Sequence, residues 1–121
     1  MNAVMDSEML GMLGDSLLRY RSEQYTFEHR SRWLEQGMGY SPDAWREYAN
    51  LGWLTLALPE EQGGFGNDPC ALALLAEYTG AALALEPVFA SAILCGRVLA
   101  RRSGQDVTQH LAVIEIGRAH V

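Results

Sequence analysis

Two carboxylates stand where carboxylates are uncommon. Glu77 and Glu86 interrupt the long apolar region between Cys70 and Ala100, and a carboxylate in such surroundings is a candidate general base. The more ordinary expectation is a helix edge or a pairing with arginine, for which Arg97 is available. Tyr78 and the face from Phe89 to Arg97 are candidates to line a ligand cavity, although leucine and aromatic stripes at helical spacing are usually core. His29, His110 and His120 have no cysteine or carboxylate at ligand spacing, so no metal site is expected. The sequence holds no HExxH, GxSxG or Walker-type motif. Gly63-Gly64-Phe65-Gly66 is glycine-rich but follows no expected strand and lacks a Lys-Ser/Thr end, so it reads as a flexible loop between helices rather than a phosphate cradle.

The elements that must position these groups are helical. Asp6 or Ser7 caps a first helix with apolar positions Met9, Leu10, Leu13, Leu17 and Leu18, which runs out near Arg21 to Glu23. Thr26 caps a second, with Phe27, Trp33 and Leu34 as its apolar residues. Ser41-Pro42-Asp43 opens a third, in which Trp45, Tyr48, Ala49 and Leu51 face inward and Gly52 ends the helix. The apolar run Trp53 to Leu58, Pro59 and the glycine loop then form a joint. Asp68-Pro69 starts a fourth helix, apolar nearly all round and therefore central, with Leu72, Leu75, Ala76 and Thr79 on one face and Leu74, Tyr78 and Leu85 widening it. Gly80 in its middle costs about 1 kcal/mol against Ala, which suggests close approach by a neighbouring helix.

Glu86-Pro87 breaks the chain. A fifth helix follows through Phe89, Ala92, Ile93, Gly96 and Leu99, with Arg101 and Arg102 in its last turn and Gly104 beyond. Asp106 with Gln109 resembles a capping box opening a sixth helix. No β-alternation of useful length occurs. The expected fold is all-α, an orthogonal bundle of five to six helices.

The chain has 121 residues, a length that suits one domain, and 49% apolar with 20% charged residues is an ordinary globular composition. A net charge of −6 disfavours a nucleic-acid surface. Every basic side chain other than histidine is arginine, which we read as genomic composition bias. Cys70 and Cys95 lie in apolar patterns and are expected to be buried. With no CxxC, secretory signal or uninterrupted apolar run near the ~20 residues that span a membrane, a cytoplasmic, soluble protein is the expectation.

Ile116-Gly-Arg-Ala-His-Val121 does not continue the helical pattern before it. The codons ATC GGA AGA GCA CAC GTC, followed by TGA, would reproduce a widely used sequencing-adapter oligonucleotide. The adapter's preceding AG restricts residue 115 to Glu, Gln or Lys, and residue 115 is Glu115. The expectation is a truncated reading frame: residues 1–6 disordered, 7–115 one helical domain incomplete at its last helix, and 116–121 an artefact.

Taken in order, these features resemble the N-terminal helical domain of the acyl-CoA dehydrogenase family. Trp45-Arg-Glu-Tyr-Ala-Asn-Leu-Gly-Trp53 is similar to that family's third helix, and Leu58-Pro-Glu-Glu-Gln-Gly-Gly-Phe-Gly66 to its Pro-Glu-x-x-Gly-Gly-x-Gly loop. Glu77, Gly80, Leu85-Glu86-Pro87 and Ser91-Ala92 continue the match, which covers roughly Ser7 to Glu115. The loop and the Leu-Glu-Pro-Val-Phe-Ala segment resemble the small-subunit type associated with pimeloyl-CoA and related dicarboxylyl-CoA substrates.

The resemblance implies an FAD enzyme that converts an acyl-CoA thioester to its 2-enoyl-CoA. A glutamate takes the α-proton, the flavin accepts the β-hydride, and an electron-transfer flavoprotein receives the electrons. It also implies a homo- or hetero-oligomer with a large subunit. The acyl chain lies beside the family's fifth-helix region, which makes Phe89, Ile93, Leu94 and Arg97 the substrate-pocket candidates. The flavin-holding β-barrel and the C-terminal helical domain with its base glutamate are not in these residues. No catalytic residue is therefore assigned here, and this chain alone is expected to bind no FAD and to be inactive. The alternative is a free-standing helical interaction module without enzymatic activity; a DNA-binding domain is disfavoured by the acidic balance.

Overall fold

The computed structural model describes residues 5–103. The expected sixth helix from Asp106, its preceding Gly104, and the segment 116–121 lie outside the described residues. Within them the chain forms helices α1 (Ser7–Glu23), α2 (Phe27–Glu35), α3 (Pro42–Asn50) and α4 (Pro69–Ala82), then a π-helix (Val88–Cys95) that continues directly into α5 (Gly96–Ser103). No strand occurs among the described residues, and the domain is all-α.

The starts follow the capping chemistry in the sequence. Asp6 accepts from the Met9 N–H, Thr26 from His29, Ser41 from Ala44 and Asp68 from Cys70, each satisfying an amide that the first helical turn leaves without a partner. Asp68 does more than cap. Its second oxygen accepts the Met5 N–H at 2.8 Å, so the chain before α1 is tied to the start of α4, and the carboxylate is only 2% exposed.

The core is built where the sequence is least helical. Residues 53–58 are all buried, Trp53, Leu54 and Leu58 to 1%; each such large side chain contributes about 1.5–3 kcal/mol by leaving water. Gly52 enters this stretch at φ +82, a left-handed conformation open to glycine at little cost. Trp53–Thr55 forms one 3-10 turn that packs on α3 and on the π-helix.

The loop after it is hydrogen-bonded to the chain before it. The amides of Gly64, Phe65, Gly66 and Asn67 donate to the carbonyls of Pro59, Thr55, Leu58 and Leu56 at 2.8–3.2 Å, which folds the glycine segment back onto the apolar run.

Several faces differ from the 3.6-residue reading. On α4 the buried stripe is Ala71, Leu75 and Tyr78, not Leu72, Leu75, Ala76 and Thr79; α4 packs chiefly on α1. Among the described residues nothing lies within 4 Å of where a Gly80 Cβ would be, so none of the described helices approaches it closely. On α1 only Leu17 is buried, while Met9 and Leu18 are exposed; Phe27, Leu34 and Leu51 are also exposed. After Pro87 the wider i→i+5 turn adds a residue per turn. It points Val88, Ser91, Ala92 and Ile93 inward and leaves Leu99 exposed.

Candidate functional site

The most concentrated polar chemistry is a buried carboxylate ringed by tyrosines. Glu86 is 2% exposed. Its Oε1 accepts from the Tyr25 hydroxyl at 2.8 Å and the Tyr48 hydroxyl at 3.0 Å, and its Oε2 accepts the Ser41 N–H at 2.8 Å. Having donated to Glu86, Tyr48 uses its oxygen to accept from Tyr78 at 2.8 Å, and Tyr25 likewise accepts the Leu85 N–H at 2.8 Å. Every contact on the carboxylate is a donor, as an ionised group requires. The turn before the π-helix is thereby joined to the α1–α2 connection, the start of α3 and, through Tyr78, α4.

Of the two ordinary expectations for Glu86, a helix edge or an arginine partner, the second is not met by Arg97. Arg97 is exposed, and the ion pair found among the described residues joins Arg46 and Asp43 on the surface. The physical reason is the Pro87 break: it turns Glu86 inward toward α3 while α5 carries Arg97 outward.

The rings form one cluster. Tyr20, Tyr25, Tyr48, Trp53 and Tyr78 contact one another at centroid distances of 5.4–6.4 Å, and Tyr25 meets Trp33 edge-on at 4.9 Å, arrangements worth about 0.5–1.5 kcal/mol per pair beyond area burial. Burial, with the nearby Glu86 carboxylate, pushes the hydroxyl of Tyr48 far above its ordinary range. Burial raises Tyr25 and Tyr78 as well. Tyr20 rises to about 12, from burial first and then from the Glu47, Glu86 and Asp43 carboxylates.

Glu86 cannot serve as a general base here. A base must reach the proton it removes, and Glu86 is enclosed with its oxygens occupied. Glu77 is exposed on α4, beside a cleft of about 150 Å³ between α1 and α4 that Arg21, Leu17, Leu18 and Tyr78 also line. The glycine loop offers no phosphate cradle either, since its consecutive amides are spent on the chain's own carbonyls. His29 acts in a capping box, its Nδ1 accepting the Thr26 N–H. No cluster of metal-ligating side chains occurs among the described residues. Cys70 and Cys95 are both exposed, not buried.

The pocket candidates do not share one environment. Ile93 is 6% exposed, Phe89 is half-buried against the core, and Leu94 (64%) and Arg97 face outward. Tyr78 sits in the aromatic cluster rather than beside them. The Glu86–tyrosine network escaped the sequence reading because its members lie 30 to 61 residues apart. Its one visible signal was an acidic residue in an otherwise apolar turn.

No described helix is long and apolar enough to cross a membrane. No curated protein and no solved structure matches the chain. A family model does: that of the acyl-CoA dehydrogenase N-terminal domain matches residues 8–119. Together with the all-α frame, the match over nearly the whole sequence shows that this chain belongs to the acyl-CoA dehydrogenase family, of which it carries the N-terminal domain.

Proposed function

We propose that this chain supplies the N-terminal helical part of an FAD-dependent acyl-CoA dehydrogenase, which converts an acyl-CoA thioester to its 2-enoyl-CoA. The observation that carries the reading is the family match over residues 8–119, combined with a buried carboxylate whose oxygens are engaged in holding the helices together. The chain is a scaffold and a wall. Its described residues do not fit FAD by themselves: the loop amides are committed, and Glu60 and Glu61, adjoining the loop, would repel a pyrophosphate. FAD supplies the redox chemistry when bound, and the parts that hold it lie outside this sequence.

The wall we assign to the acyl chain is the segment from Phe89 to Arg97. Leu94 within it, and Val98 and Leu99 just past its end, expose apolar surface, which an acyl chain or an adjoining domain would cover. Ile93 and Phe89 brace that surface from the core side, and Arg97 is a cation available at its edge. That cation fits the dicarboxylyl-CoA preference suggested by the Gly-Gly-Phe-Gly and Leu-Glu-Pro-Val-Phe-Ala strings, as does work alongside a large subunit and an electron-transfer flavoprotein. The genomic reading frame tests the proposal. Past codon 115 it is expected to encode a β-rich segment and then further helices, and a natural stop there would favour a free-standing interaction module.

A further inference from the structure

The histidine among the described residues, His29, is used in a way that only its neutral form allows. The Thr26 N–H donates to His29 Nδ1 at 3.3 Å, the Thr26 hydroxyl lies 2.7 Å from the same nitrogen, and Thr26 Oγ1 accepts the His29 N–H at 3.2 Å. A capping box ordinarily carries Glu or Gln at this third helical position, where a side-chain oxygen accepts from the N-cap amide. Here the acceptor is a ring nitrogen. A backbone N–H can only donate, so Nδ1 keeps its lone pair and the ring proton sits on Nε2. Protonation turns Nδ1 from acceptor into donor and leaves the Thr26 amide facing a second N–H. It also puts a positive charge in the first turn of α2, at the positive end of the helix dipole. Histidine changes charge between about pH 5 and about pH 8, so this cap depends on pH where a glutamine cap would not.

The surroundings give the charged ring somewhere to turn. His29 is part-buried and borders the space where the end of α1, α2 and the start of α3 meet. Tyr20 and Gln24 face that space from the end of α1, and Asp43 and Glu47 from α3. Asp43 also engages Arg46 on its outer side. The charged residues of α2 itself are Glu28, Arg30, Arg32 and Glu35, of which Arg30 donates to the Leu83 carbonyl at 2.7 Å. Opening the cap would be felt in the core. Tyr25, the residue before Thr26, donates to Glu86 at 2.8 Å and meets Trp33 edge-on at 4.9 Å, while the His29 ring lies 6.1 Å from Trp33.

We propose that His29 is a pH-sensitive latch on the α1–α2 connection. Neutral, it closes the capping box on Thr26; protonated, it releases the Thr26 amide and opens the first turn of α2 beside the Tyr25–Trp33 contact. The proposal is independent of the dehydrogenase reading, because neither flavin nor thioester takes part in it.

NMR of isotope-labelled histidine ring nitrogens, together with exchange of the Thr26 amide, tests it on the full chain. At about pH 8 His29 is expected as the Nε2–H tautomer with Nδ1 unprotonated. Corrected for the intrinsic effect of pH on exchange, protection of the Thr26 amide is expected to fall at least about fivefold between about pH 8 and about pH 5.5, in step with the His29 ring titration. Glutamine accepts at both ends of that range, so His29→Gln is expected to keep the protection throughout, which separates the latch from any titration elsewhere in the chain. An Nδ1–H tautomer at the alkaline end, protection that is unchanged as His29 titrates, or an equal loss in His29→Gln would overturn the proposal. The first two outcomes are read on the unaltered chain and decide the matter even if the variant fails to fold.

Discussion

The Tyr48 hydroxyl lies 3.0 Å from Glu86 Oε1 and 2.8 Å from the Tyr78 hydroxyl, so a single phenol on α3 links the turn before the π-helix to α4. Removing the carboxylate leaves two phenols and an amide buried without an acceptor. Glu86→Ala is therefore expected to destabilise the fold by about 3–5 kcal/mol, and Tyr48→Phe by about 1–3 kcal/mol. Glu86→Gln keeps an acceptor for the phenols but turns a second donor toward the Ser41 N–H, for a loss between the two. Urea unfolding followed by circular dichroism measures the order, and a Glu86→Ala loss below that of Tyr48→Phe would contradict the clamp.

A different constraint acts at Gly64. A Cβ built there would lie 2.2 Å from the Leu58 carbonyl oxygen, a backbone atom that cannot rotate away. Gly64→Ala is expected to cost at least about 2 kcal/mol, whereas Gly80→Ala, with open space around it, is expected to be neutral or to gain up to about 1 kcal/mol. Thermal melting of the two variants compares them directly.

Alkaline pH should unfold the chain. The Tyr20 hydroxyl is raised from its ordinary value of 10 to about 12, and Tyr25, Tyr48 and Tyr78 are raised further. The folded state holds these protons more tightly than the unfolded chain does. Their contribution is thus fully present below pH 10 and is lost as pH rises through 12 and beyond. Phenolate absorbance from these four residues is expected to appear together with the loss of helical circular dichroism. Ionisation of all four in a chain that remains folded would refute the buried network.

Both thiols should react in the native state. Cys70 and Cys95 are exposed, so a disulfide reagent is expected to modify two thiols per chain without denaturant. Protection of either until urea is added would restore the buried reading.

The helix starts were legible because capping is local: Asp6, Thr26, Ser41 and Asp68 each act on an amide two or three residues away. The family was legible in the ordered loop from Leu58 to Gly66, whose glycines meet steric demands that are equally local. Faces were less legible. The π-helix after Pro87 shifted the inward stripe, and 3.6-residue counting cannot anticipate an i→i+5 turn. Apolar neighbours in sequence do not by themselves bury a side chain, and Cys70 and Cys95 are exposed. The tyrosine network was invisible because it assembles residues from four separate segments.

The central claim, that this chain works as the helical wall of a flavin-dependent acyl-CoA dehydrogenase, is tested most directly by flavin absorbance under anaerobic addition of acyl-CoA. The protein expressed from the reading frame extended past codon 115 is expected to purify yellow and to bleach on adding a dicarboxylyl-CoA, while the 121-residue chain purifies colourless. A yellow preparation of the 121-residue chain, or an extended protein that carries no flavin, would contradict the account.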